Sequence, residues 1–355
     1  MRVLISGYYG YHNVGDEAIL QSIIKALKEE NPEIEIVVLS NDVEYTKKTY
    51  GVDAINRWSI NDIFKNLKNS DGLISGGGSL LQDATSNRAV KYYIGIMAIC
   101  NFVKKPFFIY AQGIGPINNN LNKKLTKKYL QKAKFISLRD DESKDFVKSL
   151  GVKNDIEIVP DPVMGFDIND FSSKLCDEYN KPYVTISVRE WKNAKQDFLK
   201  KVKDTCDLLI ENGYEVVFIP MHGINDYNVS KNIVDKMKNK ACIFKYDASV
   251  EEKIFCIKNS NLMIGMRLHA LIFSATVNTP MIGISYDPKI DSFLSQVSQP
   301  CIGSVDCNWT SDDLFNLSSN ILKNYDEEVE KLSKYSEKLK KEAKLTAKKI
   351  INILE

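Results

Sequence analysis

The chain has 355 residues, 44% of them hydrophobic and 26% charged, which is typical of a globular protein, and its length favours two domains. The formal net charge of +2 excludes a global attraction to nucleic acid, so any anion site must be local. Seven scattered cysteines without a Cys-x-x-Cys pair argue against a zinc site or a disulfide framework and indicate a reducing compartment.

The N-terminal segment favours a cytoplasmic protein. Met1 leads directly into a strand-like run, without a signal-peptide pattern. The longest apolar stretch, residues 94–103, is too short to span a bilayer.

The first half of the chain alternates short apolar runs with amphipathic segments. Strands are predicted over residues 3–6, 34–39, 72–75, 107–110, 135–138 and 156–159. After the acidic pair Asp16 and Glu17, apolar residues recur at helical spacing, which indicates a helix N-terminus. Apolar strands that are each followed by a helix predict a parallel sheet covered on both faces, here within a domain of residues 1–166.

Three glycine-rich turns directly follow strands of this domain. They are residues 7–17, residues 75–83, which include Gly77 and Gly78, and residues 112–116. Such turns let backbone N–H groups close around an anion at a helix start, but none matches a dinucleotide fingerprint or a P-loop. Either a tight turn or the close approach of a ligand or another backbone explains them.

The strand and helix alternation then repeats after a polar segment, residues 167–182, which we interpret as a linker. Strands are predicted over residues 183–188, 216–219, 242–244, 262–264 and 281–284, within a second domain of residues 183–325. The predicted fold class is therefore α/β, with two Rossmann-like domains and a ligand cleft facing the carboxyl ends of their strands.

The remaining residues, 326–355, are predicted to form one helix with an apolar stripe. Eight lysines lie between Lys331 and Lys349. A surface helix packed through its stripe explains the pattern, and the alternative is a basic face that touches anionic lipid.

Two arginines and three histidines lie where predicted strands end. Arg139 and Arg267 suit the bidentate capture of carboxylate or phosphate. His12, His222 and His269 all fall on strand-to-helix turns, so we expect them near the cleft, where His269 is a candidate for proton transfer. No close pair of histidines predicts a metal site.

Taken together, six motifs resemble the polysaccharide pyruvyltransferase family, and the likeness is closest to its bacterial CsaB type. The motifs are GYHNVGDEA from Gly10, GGGSLLQD from Gly76, QGIGP from Gln112, LRD from Leu138, PDP from Pro160 and RLHA from Arg267. They span the chain to about residue 290.

The resemblance implies a GT-B-like arrangement of the two domains, with phosphoenolpyruvate as donor and no separate cofactor. It implies as acceptor an N-acetylmannosamine unit of a lipid-linked cell-wall polymer precursor. Arg139, Arg267, Gly77 and Gly78 are expected to bind the donor, and His269 is expected to be catalytic. His12, Asn13, Asp16 and Asp83 are assigned to the acceptor or to structure. No nucleic acid partner is expected, and a homo-oligomer and peripheral contact with the inner face of the membrane are compatible with the sequence.

Two other functions fit the same architecture. A GT-B glycosyltransferase using a nucleotide sugar would offer a second-domain carboxylate, such as Asp287, to the ribose. A non-catalytic sugar- or nucleotide-binding protein would share the fold as well, because fold alone does not decide function.

Overall fold

The computed structural model describes residues 1–83, 87–168, 171–176, 179, 182–191, 194 and 197–355. Two compact units form, one from Met1–Gly165 with Leu339–Glu355 and the other from Phe166–Lys338. Residues 169–170, 177–178 and 180–181 of the predicted linker lie outside the described residues.

The first unit is built on a parallel sheet. Its strands are β1 (Arg2–Tyr9), β2 (Glu35–Ser40), β3 (Asp53–Asn56), β4 (Gly72–Ser75), β5 (Gly78–Leu81), β6 (Phe107–Ile114), β7 (Phe135–Leu138) and β8 (Glu157–Ile158). Among the described residues the strand order is β3-β2-β1-β4-β6-β7-β8, and β5 pairs with β6 outside that path. Since β2 and β4 flank β1, successive connections leave β1 in opposite directions, which creates a switch point at its carboxyl end.

The helices of the first unit follow the strands and cover both faces of this sheet. They are α1 (Val14–Glu30), α2 (Val43–Tyr50), α3 (Ile60–Lys68), α4 (Asn87–Phe102), α5 (Asn120–Leu130) and α6 (Asp141–Ser149). Strands β4 and β6 are buried along their whole length, as expected for a sheet covered on both faces.

The second unit repeats this design. Its strands are β9 (Tyr183–Ser187), β10 (Glu215–Phe218), β11 (Cys242–Ile243), β12 (Leu262–Gly265), β13 (Met281–Ser285) and β14 (Cys301–Ser304). They form a parallel sheet in the order β11-β10-β9-β12-β13-β14 within the described part of the chain. The switch point of this sheet lies at the carboxyl end of β9, between β10 and β12.

Helices again alternate with the strands of the second unit. They are α7 (Phe198–Glu211), α8 (Gly223–Val234), α9 (Val250–Lys258), α10 (Leu268–Thr276), α11 (Pro288–Gln296) and α12 (Ser311–Lys323). Each unit has its own apolar core, around residues such as Leu4, Ile109 and Ile136 in the first and Ile186, Phe218 and Ile264 in the second. The predicted α/β class with two parallel sheets is confirmed.

All the predicted strands are present, and three further strands were missed. Strand β3 is short and largely unburied, so its sequence lacks a strong apolar pattern. Strand β5 begins with Gly78 inside the segment interpreted as a glycine turn, and β14 is only partly buried. Weak burial or glycine content removed the signal in each case.

The C-terminal segment differs from the single predicted helix, because it forms α13 (Tyr325–Ala343) and α14 (Leu345–Leu354). Several of its lysines pair with carboxylates: Lys334 with Glu330 at 2.9 Å, Lys344 with Glu29 at 2.8 Å, and Lys349 with Glu157. These charges are compensated within the protein. Among the residues that the structure describes, no helix combines the length and apolarity needed to cross a membrane.

Candidate functional sites at the carboxyl edges of the two sheets

The loop after β1 holds two of the residues predicted for the acceptor or for structure, His12 and Asn13. Asn13 caps α1 by accepting a hydrogen bond from the Gly15 N–H at 3.3 Å. His12 is exposed, with a φ of 55°, and its Nε2 lies 3.6 Å from an Asp42 carboxylate oxygen. The Glu17 carboxylate closes the loop by accepting from the Gly10 N–H at 2.9 Å. Asn13 therefore has a structural role, whereas His12 remains open to solvent.

Asp16 approaches the glycine segment before β5. A Cβ added to Gly78, whose φ is +89°, would lie 3.0 Å from an Asp16 carboxylate oxygen, and one added to Gly77 would lie 2.9 Å from Ile19. The close approach inferred from these glycines therefore involves side chains of α1. This packing brings the Asp16 carboxylate to the carboxyl edge of the first sheet.

Arg139 lies just after β7, where the sequence placed it, and it is held by several groups. Its Nη2 donates to Ser79 Oγ at 2.8 Å. Carboxylate oxygens of Asp140 and Asp161 lie 3.5 and 3.6 Å from its guanidinium nitrogens. Gly113 permits this arrangement, because a Cβ there would lie 2.8 Å from Arg139 Nη2. The guanidinium is thus fixed in orientation and its charge is compensated by two acids.

Asp83 organises the loop that precedes α5. Its carboxylate accepts from the backbone N–H groups of Asn118 at 2.7 Å and Asn119 at 3.0 Å, and from the side-chain amide of Asn122 at 3.1 Å. Desolvation opposes ionisation, but these hydrogen bonds outweigh it and lower the pKa of Asp83. Its three bonds give Asp83 a structural role.

The second unit contains a cavity of about 680 Å³ at the switch point of its sheet. The loops that follow β9, β10 and β12 line it with Arg189, His222 and Arg267, and side chains of α8 contribute to the wall. Open α/β sheets bind ligands at this position. The cavity is therefore the better-defined candidate site of the chain.

Asp226 of α8 organises one wall of this cavity. The residue is 1% exposed and accepts from the backbone N–H groups of Met221 at 3.2 Å and His222 at 3.0 Å. It also holds Arg267, whose Nε donates at 2.9 Å and whose Nη2 forms a second contact. Asp226 thus positions Arg267 through two N–H groups on one side of the guanidinium.

Arg189 is the cavity arginine whose partners include no carboxylate among the described residues. Its Nη1 donates to Tyr286 Oη at 3.3 Å, and its guanidinium carbon lies 5.5 and 5.2 Å from the ring centres of Trp191 and Tyr286. Its Nε is buried and donates no hydrogen bond to any of those residues. A half-buried cation held by rings and a hydroxyl retains the capacity to bind an anion.

Two of the three histidines belong to this unit. His222 is the N-cap residue of α8 and lines the cavity, whereas His269 lies in the first turn of α10 and is absent from the described lining residues. Burial, and then the positive charge of Arg267, lowers the pKa of His222. His222 is therefore a neutral imidazole at neutral pH, next to two arginines.

Sequence reasoning missed Arg189 and Asp226. Arg189 could have been found, because it follows a strand just as Arg139 and Arg267 do. Asp226 lies within a helix and four residues after His222, and nothing in its sequence context distinguishes it from a solvated acid. Its role depends on tertiary contacts.

The carboxylate predicted for the glycosyltransferase alternative is already engaged. Asp287 caps α11 by accepting from the Lys289 N–H at 3.2 Å, and it pairs with the Lys289 ammonium at 3.0 Å. Within the described part of the chain, no group of three or more His, Cys, Asp or Glu residues could hold a metal ion.

The amino-acid sequence is similar to proteins of known families. A sequence model of the polysaccharide pyruvyl transferase family matches residues 13–288. The amylovoran biosynthesis protein AmsJ of Erwinia amylovora is 21% identical over 393 aligned residues, which cover 92% of this chain and 93% of that protein.

Solved structures share the fold at low sequence identity. The structure of Anabaena Alr3699/HepE in complex with UDP-glucose has a TM-score of 0.68 at 10% identity and covers 100% of this chain and 99% of its own. A UDP-GlcNAc 2-epimerase from Neisseria meningitidis, bound to UDP-GlcNAc, has a TM-score of 0.67 at 12% identity. The match covers 99% of this chain and 100% of the epimerase chain.

Proposed function

Because the chain belongs to the polysaccharide pyruvyl transferase family and is an enzyme that transfers a pyruvyl group to a polysaccharide, we propose that its donor is phosphoenolpyruvate. The observation that carries this proposal is the cavity of the second unit, where Arg189 and Arg267 meet at the switch point. Phosphoenolpyruvate carries a carboxylate and a phosphate, and arginine binds both groups through paired hydrogen bonds.

The proposed product is a cyclic ketal. A proton adds to the methylene carbon of phosphoenolpyruvate, and one sugar hydroxyl attacks the central carbon and loses its proton. A second hydroxyl of the same sugar then displaces phosphate, to which its proton passes. Both hydroxyl protons and the phosphate are thereby accounted for, and no separate cofactor enters the reaction.

In this reaction we propose that Arg267, together with Arg189 in the same cavity, binds one anionic group of the donor and that Arg139 binds the other. Gly77 and Gly78 are assigned to the donor site as well. Asp226 occupies Nε and Nη2 of Arg267, which leaves its Nη1 for the ligand. Each charged hydrogen bond contributes about 1.5–3 kcal/mol. Arg139 and Arg267 belong to different units, so their joint action on one donor molecule remains a prediction.

A double-mutant cycle tests that joint action. We expect Arg139→Lys and Arg267→Lys each to raise the KM for phosphoenolpyruvate. The free-energy effect of the double substitution should differ from the sum of the single effects, because the two side chains share one ligand. Strict additivity would contradict a shared donor.

For the acceptor we propose an N-acetylmannosamine unit of a lipid-linked cell-wall polymer precursor, as in the CsaB type. The enzyme would then act in the cytoplasm and contact the inner face of the membrane peripherally, where such a precursor is presented. Co-sedimentation with anionic and with zwitterionic vesicles tests the contact. Equal recovery in the supernatant with both would contradict it. A homo-oligomer likewise remains a prediction.

Mass spectrometry tests donor and reaction together. A synthetic N-acetylmannosamine glycoside is incubated with the enzyme and phosphoenolpyruvate, and the product should gain one pyruvyl ketal as phosphate is released. Parallel reactions with other aminosugars define the acceptor. Phosphate release without a ketal product, or a ketal formed only from a different donor, would contradict the proposal.

A further inference from the structure

A cluster of aromatic side chains surrounds Arg57 at the carboxyl edge of the first sheet. We define this aromatic cluster as Tyr8, Tyr11, Trp58, Tyr92 and Tyr93. Tyr8 lies at the end of β1, Arg57 and Trp58 directly follow β3, and the last two tyrosines belong to α4. The cluster therefore lies at the edge where ligands of open α/β sheets bind.

Arg57 holds the rings together from the inside. Its guanidinium carbon lies 5.3 Å from the Tyr11 and Trp58 ring centres, 4.5 Å from that of Tyr92 and 5.7 Å from that of Tyr93. Its Nη1 donates to the Gly7 carbonyl at 2.9 Å and its Nη2 to Tyr93 Oη at 3.3 Å. The residue is 3% exposed, so it lies behind the rings and cannot reach a free anion.

Two members of the cluster face solvent. Trp58 is 60% exposed, and Tyr8, which stacks on Tyr11 with ring centres 4.1 Å apart and an 8° angle, is 37% exposed. Rings that are held rigidly in an exposed position leave apolar area in contact with water, which is unfavourable for the free protein. This arrangement indicates a ligand that covers the rings.

The charges of the cluster narrow the ligand class. Arg57 already places a buried positive charge against one side of four rings of the cluster, which disfavours a second cation such as a lysine or a choline group on their other side. Asp16 lies in the first turn of α1, which begins three residues after Tyr11, so an acid lies close to the rings. In agreement, burial raises the pKa of the Tyr8 and Tyr93 phenols, and the Asp16 carboxylate adds to the rise in both. An acid beside the rings disfavours an anionic lipid surface. A neutral ligand with an apolar face and hydroxyl groups satisfies both conditions.

We propose that the aromatic cluster binds a pyranose ring of the acceptor glycan, with Trp58 and Tyr8 as stacking surfaces and Asp16 as a hydroxyl acceptor. This assignment rests on the proposed function, because it names the acceptor site of the same enzyme. It also gives Asp16 a defined role among the residues assigned to the acceptor or to structure.

Kinetics with each substrate varied separately test the assignment. The probes are an N-acetylmannosamine-terminated oligosaccharide and phosphoenolpyruvate, with phosphate release as the readout. Trp58→Ala and Tyr8→Ala should each raise the acceptor KM about tenfold and leave the donor KM within about twofold, as expected for the loss of one stacking contact. Phe102→Ala, at an aromatic side chain that is 76% exposed outside the cluster, is the matched control and should change neither KM.

Fluorine NMR supplies a readout that does not depend on turnover. With 5-fluorotryptophan incorporated, the Trp58 resonance is identified by its loss in Trp58→Phe and followed during titration with neutral oligosaccharides. A saturable shift of that resonance supports the assignment even if phosphoenolpyruvate is not the donor, whereas failure of the donor proposal would appear as the absence of phosphate release. An unshifted Trp58 resonance at saturating acceptor, or unchanged acceptor KM values in both alanine variants, would overturn it. Equal rises in both KM values would also overturn it.

Discussion

At the scale of single residues, carboxylates distinguish the three arginines at the strand ends. Arg139 lies near two acids and Arg267 is held by Asp226, while Arg189 lies against two aromatic rings and a hydroxyl. An arginine paired with acids is well oriented but offers less net charge to a ligand. Arg189 therefore supplies most of the uncompensated positive charge in the second-unit cavity.

We predict that Arg189→Ala raises the KM for phosphoenolpyruvate about 10- to 100-fold, because a charged hydrogen bond to the ligand is lost. Arg189→Lys should recover only part of the loss, since an ammonium cannot replace a planar fork. Initial rates of phosphate release measure both effects. Arg2→Lys, in the other unit, serves as a control with wild-type KM, and a wild-type KM in Arg189→Ala would refute the prediction.

The two histidines of the second unit lead to different pH profiles. If His269 is the general acid or base, His269→Ala should lower kcat about 10²- to 10⁴-fold. If His222 serves instead, its lowered pKa should place the acidic limb of the kcat/KM profile below pH 6.5. The profile is recorded for the wild type and both alanine variants. If only one of the two substitutions removes the acidic limb of the kcat/KM profile, the substituted histidine is the titrating residue. If both variants keep the limb, neither histidine is the general acid or base.

Strand-end rules applied to the sequence located Arg139, Arg267 and His222, because burial of parallel strands leaves a strong apolar pattern. His269, expected near the cleft, lies in the first turn of α10 and is absent from the described lining of the second-unit cavity. The same rule could have located Arg189. Neither Asp226 nor the ring contacts of Arg57 could be found this way. Each depends on residues far apart in the chain, 41 positions for Asp226 and Arg267 and 36 for Arg57 and Tyr93.

At the scale of elements, close packing between neighbouring strands and loops determines where side chains point. Gly113 in β6 lies against the guanidinium that follows β7, whereas Gly95 in α4 has open space where a Cβ would be. Alanine substitution at Gly113 therefore tests a steric effect on Arg139, whereas alanine substitution at Gly95 tests an effect on helix stability.

We expect Gly113→Ala to displace Arg139 and lower kcat/KM for phosphoenolpyruvate about tenfold or more, because the added Cβ would lie 2.8 Å from Nη2. Gly95→Ala should instead stabilise the fold by about 0.5–1 kcal/mol, since alanine is the better helix former. Kinetics and urea unfolding of both variants provide the check. Unchanged kinetics in Gly113→Ala would show that the guanidinium adjusts without cost.

Helix α9 contains a lysine with no exposed surface. Lys253 donates to the Tyr246 carbonyl at 2.8 Å, and burial lowers its pKa to about 8. Below that pH the folded protein must keep a buried ammonium, while the unfolded chain binds its proton up to about pH 10.5. Stability should therefore rise as the pH increases from 8 to 10.5.

Lys253→Met should remove this cost and stabilise the fold by about 2–3 kcal/mol at pH 7, because no buried charge remains. The gain should shrink towards pH 10, where the native lysine is neutral. Urea unfolding at pH 7 and at pH 10 measures the difference. Lys258→Met, at an exposed position of the same helix, is the control, and a gain independent of pH would point to packing instead of charge.

At the scale of the whole molecule, the end of α13 and all of α14 belong to the N-terminal unit. Helix α13 begins in the second unit, and residues from Leu339 onwards complete the first. Within α14, Ala347, Ile350 and Ile351 are buried. The sequence predicted a separate amphipathic helix there, but its apolar stripe alone does not reveal which unit it covers.

We predict that Ile350→Ala lowers the free energy of unfolding by about 2–5 kcal/mol, because the side chain is fully buried. Hydrogen exchange should accelerate in Met1–Gly165 and stay unchanged in Phe166–Lys338. Ile353→Ala, at a side chain that is 46% exposed, should cost less than about 0.5 kcal/mol. Equal acceleration in both segments would mean that the units open together.

The return of the chain to its first unit also bears on biosynthesis. A ribosome releases Phe166–Lys338 before it releases α14, so the middle of the polypeptide can mature while the N-terminal sheet still lacks one of its covering helices. The face that α14 later covers, around α1 and Tyr110, is exposed during that interval. Nascent chains stalled before residue 345 should therefore engage chaperones through the N-terminal sheet, even though it is synthesised first.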